Sequence, residues 1–182
     1  YTAALTAEAE RTPDVRRRAR LFQRAAELLS DAGDPEGAEA MHRKAVAAYP
    51  LHAPSLRHLG RRLREREDWD EVLALDRQEA ALTEDADEAA ALLYDIGALL
   101  ERLGRAGEAA EAYGEALRRR PGHFLSMRAM ERLQRAAGDW SGLLQTLRAE
   151  AAALTDGAAR ADALCLAAEL YEEKLGDAAA AL

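Results

Sequence analysis

The chain has 182 residues, 49% of them hydrophobic and 32% charged, with a net charge of −8. That length and composition support a folded core, and the acidic balance argues against a sequence-independent nucleic-acid binder. No apolar run nears the roughly 20 residues of a membrane span, no signal-peptide pattern is present, and the single Cys165 excludes an intrachain disulfide and a Cys-based zinc site.

Ala, Leu, Glu and Arg dominate, all strong helix formers, while β-branched residues are scarce. The spacing predicts helices over 2–11, 14–32, 35–49, 53–67, 69–82, 85–103, 106–119, 123–137, 140–154, 157–175 and 177–182. Thr12-Pro13 reads as a cap followed by a proline at the first helical position, and Asp34-Pro35 reads the same way. Asp68 with Glu71 three residues on fits a capping box. Pro50 and Pro121 end the helices before them.

The elements repeat. Trp69 and Trp140, both after Asp, lie 71 residues apart, as do Pro50 and Pro121, His52 and His123, and Gly33 and Gly104. The offset becomes 72 at Thr83 and Thr155, one inserted residue. Each 71-residue unit splits into two helix hairpins, marked by small residues at Ala26, Gly60 and Gly97. The expected hairpins are 14–50, 53–82, 85–121, 123–154 and 157–182, with 1–12 the second helix of a preceding repeat. The chain therefore reads as one array cut from a longer one, with Trp69 and Trp140 as structural residues in the first turn of a helix.

A helical hairpin of about 34 residues is the tetratricopeptide length. The stretch "LYDIGALLERLGRAGEAAEAYGEALRRRP", 93–121, resembles that family through Ile96-Gly97, Leu103-Gly104, Ala109, Tyr113, Ala116 and Pro121. Residues 22–50 repeat the pattern through Ala26, Gly33, Ala38, Ala45 and Pro50, with His42 close to where Tyr113 stands. The halves carrying Asp-Trp depart from it: neither has the closing Pro, and Glu131 takes the place of a small residue. The resemblance implies an all-α fold, an α-solenoid of stacked antiparallel hairpins in a right-handed superhelix, and a protein-binding role. The family's carboxylate clamp uses Asn beside Lys and Arg, and Asn does not occur here, so that clamp is not implied.

No catalytic set stands out. His42, His52, His58 and His123 have no ligand-type pairing along a helix, and His52 and His123, two residues after a Pro, read as contacts at a helix start. Cys165, between Leu164 and Leu166, reads as a buried small hydrophobe. "GDPEG" and "GRAGE" have turn spacing without the Lys-Ser/Thr of a phosphate loop. Neither a cofactor nor a metal is expected.

One pattern points to a partner. Arg57, Arg61 and Arg64 share one face of a helix at i, i+4, i+7, and Arg128, Arg132 and Arg135 repeat them at offset 71. In a tetratricopeptide-like stack these faces line an inner groove, with Tyr94 from the intervening hairpin between them. Guanidinium groups so placed suit an acidic segment; pairing with Glu65, Glu67 and Glu131 on a solvated face is the competing reading. The expected function is a non-enzymatic scaffold for a protein partner, without nucleic acid or direct membrane insertion. A docking segment of a larger enzyme and a structural repeat of a bacterial envelope or motility assembly are the alternatives, the bacterial source suggested by Arg so outnumbering Lys. Compartment and oligomeric state are left open, with the cytoplasm slightly favoured.

Overall fold

The computed structural model describes residues 1–175. The helices are α1 (Thr2–Arg11), α2 (Val15–Asp31), α3 (Pro35–Ala48), α4 (Ala53–Glu65), α5 (Trp69–Leu82), α6 (Ala86–Arg102), α7 (Ala106–Arg119), α8 (Phe124–Ala137), α9 (Trp140–Ala153) and α10 (Gly157–Leu170), followed by a π-helical turn at Tyr171–Leu175. There is no strand among the described residues. The helix expected at 177–182 lies outside them. The chain divides into two compact units, one spanning Tyr1–Thr83 and the other beginning at Glu84. Each is all-α, a run of consecutive helices packed pairwise, neighbour on neighbour.

The repeat is visible helix by helix. α2 and α6, α3 and α7, and α5 and α9 begin and end 71 residues apart; α4 and α8 begin 71 apart, with α8 one residue longer. The four hairpin turns among the described residues are built alike, around a residue in the left-handed region: Gly33 (φ 80°), Glu67 (57°), Gly104 (74°) and Gly138 (69°). The amide of the next residue reaches back five residues to a helix carbonyl, Asp34 to Leu29, Asp68 to Leu63, Arg105 to Leu100 and Asp139 to Gln134, each at 2.9 Å. This is the bond pattern that satisfies the last carbonyls of a helix and reverses the chain. Glu67 stands where the second copy has Gly138, and there a side chain meets the left-handed penalty that Gly avoids.

Packing follows from small residues on facing helices. In the first unit Ala9, Ala19, Phe22 and Ala45 form one cluster, and Val46, Leu56 and Leu59 another, backed by Leu75. In the second unit Leu143, Leu144, Leu147 and Ala167 pack with Trp140 and Leu170. Trp140 and Trp69 open their helices, half-buried. Tyr113, essentially fully buried, lies flat against Gly97: a Cβ there would fall 2.4 to 2.7 Å from its ring atoms. The equivalent positions in the first unit hold Ala26 and His42, a larger residue and a smaller ring.

Local expectations were met unevenly. Asp34 and Asp139 cap α3 and α9, accepting from the amides of Gly37 (2.8 Å) and Gly142 (2.9 Å). The cap expected at Thr12-Pro13 is corrected: α2 starts at Val15, because Asp14 accepts from the Arg17 amide at 2.9 Å. Thr12 instead turns its hydroxyl back to the Glu8 carbonyl, at 2.8 Å, and closes α1. The capping box of Asp68 and Glu71 does not form, since Glu71 takes Arg43 at 2.5 Å and Asp68 makes no side-chain cap bond.

Candidate partner-binding faces

In the first unit, α4 puts Leu56, Leu59 and Leu63 into the core and Arg57, Arg61 and Arg64 on an exposed face. Arg57 makes no ion pair among the described residues. Arg61 lies 3.9 Å from Glu65, both well exposed, and Arg64 lies 2.9 Å from Asp76 of α5. The Arg61–Glu65 pair, exposed on both sides, contributes about 0 to 1 kcal/mol, while Arg64 covers an Asp76 side chain that is 19% exposed.

In the second unit, α8 carries Arg128, Arg132 and Arg135, and here the charges are layered. The Arg128 side chain is 50% exposed, while its partners Glu131 (3.2 Å) and Glu150 (3.3 Å) are only 5% and 4% exposed. Arg132 is 61% exposed over Glu101, which is 21% exposed, at 2.6 Å. Arg135 makes no ion pair among the described residues. The carboxylates thus lie beneath and the guanidiniums face outward, so guanidinium is what the surface presents although three carboxylates pair with two arginines. Glu101 also accepts the Tyr113 hydroxyl at 2.5 Å. Burial works to raise Glu101, but the bonds from Arg132 and Tyr113 outweigh it and hold the carboxyl below its usual range. Tyr94 joins this group through its ring, 5.7 Å from Tyr113 and 6.1 Å edge-on from His123.

Two features of this face were not foreseen from sequence. Phe124 and Leu125, at the start of α8, are each 52% exposed, and the Arg128 guanidinium sits 5.0 Å over the Phe124 ring. On a helix at about 100° per residue, Phe124, Leu125, Arg128, Arg132 and Arg135 fall within roughly one 100° arc. Below them Glu131 and Glu150 form a buried carboxyl pair, one Glu131 oxygen having no hydrogen-bond partner. Burial and the Glu131 carboxylate raise the pKa of Glu150, with Arg128 partly offsetting them. Glu131 occupies the position of Gly60 in the first copy, which is the signal the sequence did offer.

The two copies differ in linked sets of residues. In the first, Glu39, Arg43, Arg66 and Glu71 form a charged network: Arg43 reaches Glu39 at 3.2 Å and Glu71 at 2.5 Å, and Arg66 pairs with Glu39. At offset 71 these four positions are Ala110, Gly114, Ala137 and Gly142. A recess of about 370 Å³ opens between α7 and α8, with Ala106, Gly107, Ala110, Leu133 and Ala137 among its lining.

Two of the histidines stand where the sequence put them, at helix starts. His52 and His123 take the N-cap positions of α4 and α8, each with its Nδ1 on a Ser three residues ahead, Ser55 at 3.0 Å and Ser126 at 2.8 Å. His42 and His58, however, stack at 4.1 Å, and His42 shares Ser55 with His52. Among the described residues no three His, Cys, Asp or Glu are placed to hold a metal ion. Cys165, expected buried, is exposed.

No protein-family model matches this chain, and no curated protein matches it. Solved structures similar in fold include YrrB, described as a TPR protein with an unusual peptide-binding site (21% identical, TM-score 0.48, 96% of this chain and 86% of that one). Pseudomonas aeruginosa PilF (19%, TM-score 0.47, 92% and 78%) and MamA (15%, TM-score 0.47, 90% and 85%) are similar too. No helix among the described residues is long and apolar enough to cross a membrane. In length, turn geometry and the small-against-large packing of Gly97 on Tyr113, the helix hairpins of this chain are tetratricopeptide-like.

Proposed function

We propose that the chain is a non-enzymatic protein-interaction scaffold, one repeat array whose arginine-bearing helix faces take an acidic segment of a partner. The observation that carries this reading is the layering on α8, where exposed guanidiniums cover the buried Glu131 and Glu150 and the half-buried Glu101. An acidic side chain arriving from solvent meets guanidinium first, and Arg presents a planar fork suited to carboxylate. Arg57 and Arg135, without internal ion pairs, are the groups with most to gain. Phe124 and Leu125 add an apolar contact beside the charge. Arg61 and Arg64 complete the proposed face of the first unit, and Tyr94, Arg128 and Arg132 that of the second.

The test is fluorescence anisotropy with a 12-residue peptide rich in Asp and Glu around a central Phe. Arg57→Glu/Arg135→Glu is expected to bind about tenfold more weakly than the parent chain, and the parent's affinity to fall as salt is raised. Equal affinity of the two proteins at low salt would remove acidic-segment binding. The fold is checked on the same samples by circular dichroism, since neither substitution touches a buried group.

A further inference from the structure

The first unit holds a cluster of three histidines on α3 and at the start of and along α4. His42 is buried on α3, 6% exposed. Its ring stacks on His58 of α4 at 4.1 Å with 25° between the planes. Its Nδ1 lies 3.0 Å from the Ser55 Oγ, and the Nδ1 of His52 lies 3.0 Å from that same oxygen. Ser55 is fully buried. A hydroxyl has one proton to donate and two lone pairs to accept with, so beside a neutral ring it can donate to that ring while accepting from the other, and with both rings charged it can only accept. A second proton aims two N–H groups at one oxygen that can no longer donate to either, and charging both stacked rings sets like charges about 4 Å apart.

The surroundings do not absorb that charge. Arg61 and Arg62 of α4 lie near His58, and Arg20 of α2 near His52; the Arg62 Nε is itself buried without a partner. Against them stand Glu27 of α2, near His42, and Glu39 and Glu65, near His58. Glu39 is already held by Arg43 and Arg66, with Glu71 of α5 behind Arg43, and Glu65 by Arg61 and Arg62.

The second unit is the internal control. At offset 71, His42 becomes Tyr113, His58 becomes Ala129 and Ala26 becomes Gly97, while Ser126 and His123 keep the places of Ser55 and His52. One large ring packed on a glycine stands where the first unit has two stacked imidazoles. One imidazole is left there, beside Arg120, where the first unit has three.

We propose that the packing of α3 on α4 in the first unit is an acid-sensitive device, opened by proton uptake on the His42, His52 and His58 cluster, which the second unit lacks. Burial first, then the neighbouring imidazoles, lowers His42 from 6.5 to about 4, and burial lowers His52 and His58 as well. The sign follows. The folded state prefers these rings neutral, so the packing is intact above about pH 6.5 and is lost as pH falls from there toward 4. Each such imidazole can raise the opening equilibrium by up to about tenfold per pH unit in that window.

The experiment is hydrogen exchange followed by mass spectrometry on the intact chain between pH 7 and 4.5, corrected for intrinsic exchange rates. Residues 35–65 are expected to lose at least tenfold more protection than residues 106–137. The variant carrying Ala26→Gly, His42→Tyr and His58→Ala, which installs the second unit's residues, is expected to lose that excess. Parallel loss in the two units, or an unchanged excess in the variant, overturns the proposal. The imidazole signals of the unmodified chain supply a readout independent of whether the variant folds: His42 titrating at its ordinary value without loss of α3 and α4 protection also overturns it.

Discussion

Gly97→Ala is expected to destabilise the second unit by about 2 kcal/mol, although alanine is the better helix former. In an open helix the change would gain about 1 kcal/mol. Here the new methyl would stand 2.4 to 2.7 Å from three atoms of the Tyr113 ring. The ring has nowhere to go: Tyr113 is 1% exposed, and its hydroxyl is tied to Glu101, which Arg132 also holds. Either α6 and α7 move apart or that hydrogen bond breaks, and overpacking of this kind costs roughly 1 to 3 kcal/mol beyond the propensity gain. Urea unfolding of the variant against the parent chain measures it. A variant as stable as the parent would mean that Tyr113 does not rest on Gly97. The disturbance also reaches the proposed partner face, because the Tyr113 to Glu101 to Arg132 chain links the core to α8.

Arg128→Ala carries the second large effect, and its size depends on pH. Removing the one cation beside Glu131 and Glu150 leaves two buried carboxyl groups facing each other. Stripping a buried pair of its counter-charge costs roughly 3 to 5 kcal/mol. Arg128 is half-exposed, and solvent screens part of its contribution, so about 2 kcal/mol is expected near neutrality. The loss is smaller in acid. Glu150 already has a raised pKa in the folded chain, so the folded state binds the proton more tightly than the unfolded state does. Stability therefore falls as pH rises through the folded value, and the variant, lacking Arg128, extends that fall to higher pH. Urea midpoints should differ little between variant and parent at pH 5 and clearly at pH 8. Adding Glu150→Gln to Arg128→Ala is expected to flatten the difference. A gap independent of pH would mean that Arg128 contributes packing over Phe124 rather than charge.

Helix positions were readable because each unit reports on the other. The spacing predicted 69–82 and 106–119, and the helices are Trp69–Leu82 and Ala106–Arg119. Predicted ends at 49 and 154 fell one residue long, as the chain leaves the helix at Tyr49 and Leu154 in extended backbone. The arginine faces were legible from the i, i+4, i+7 spacing alone. What lay under them was not. Glu150 comes to Arg128 from α9 and Glu101 to Arg132 from α6, and contacts between helices leave no period in a single segment. The His42 and His58 stack was hidden for the same reason, being sixteen residues apart on different helices. Reading the copies against one another would have exposed more. Glu39, Arg43, Arg66 and Glu71 give way together to Ala110, Gly114, Ala137 and Gly142, a linked replacement that marks those four as neighbours.

The claim beneath all of this is that the second unit is the first rebuilt, with side chains exchanged in matched sets. The direct test is a double-mutant cycle at positions 97 and 113. The first unit has Ala26 and His42 at the positions where the second has Gly97 against Tyr113. Tyr113→His alone should destabilise by opening a void, and Gly97→Ala alone by crowding the ring. Combined, they recreate the first unit's pair, and the double variant is expected to be more stable than the sum of the two losses by at least about 1 kcal/mol. Losses that simply add would contradict the equivalence of the two copies.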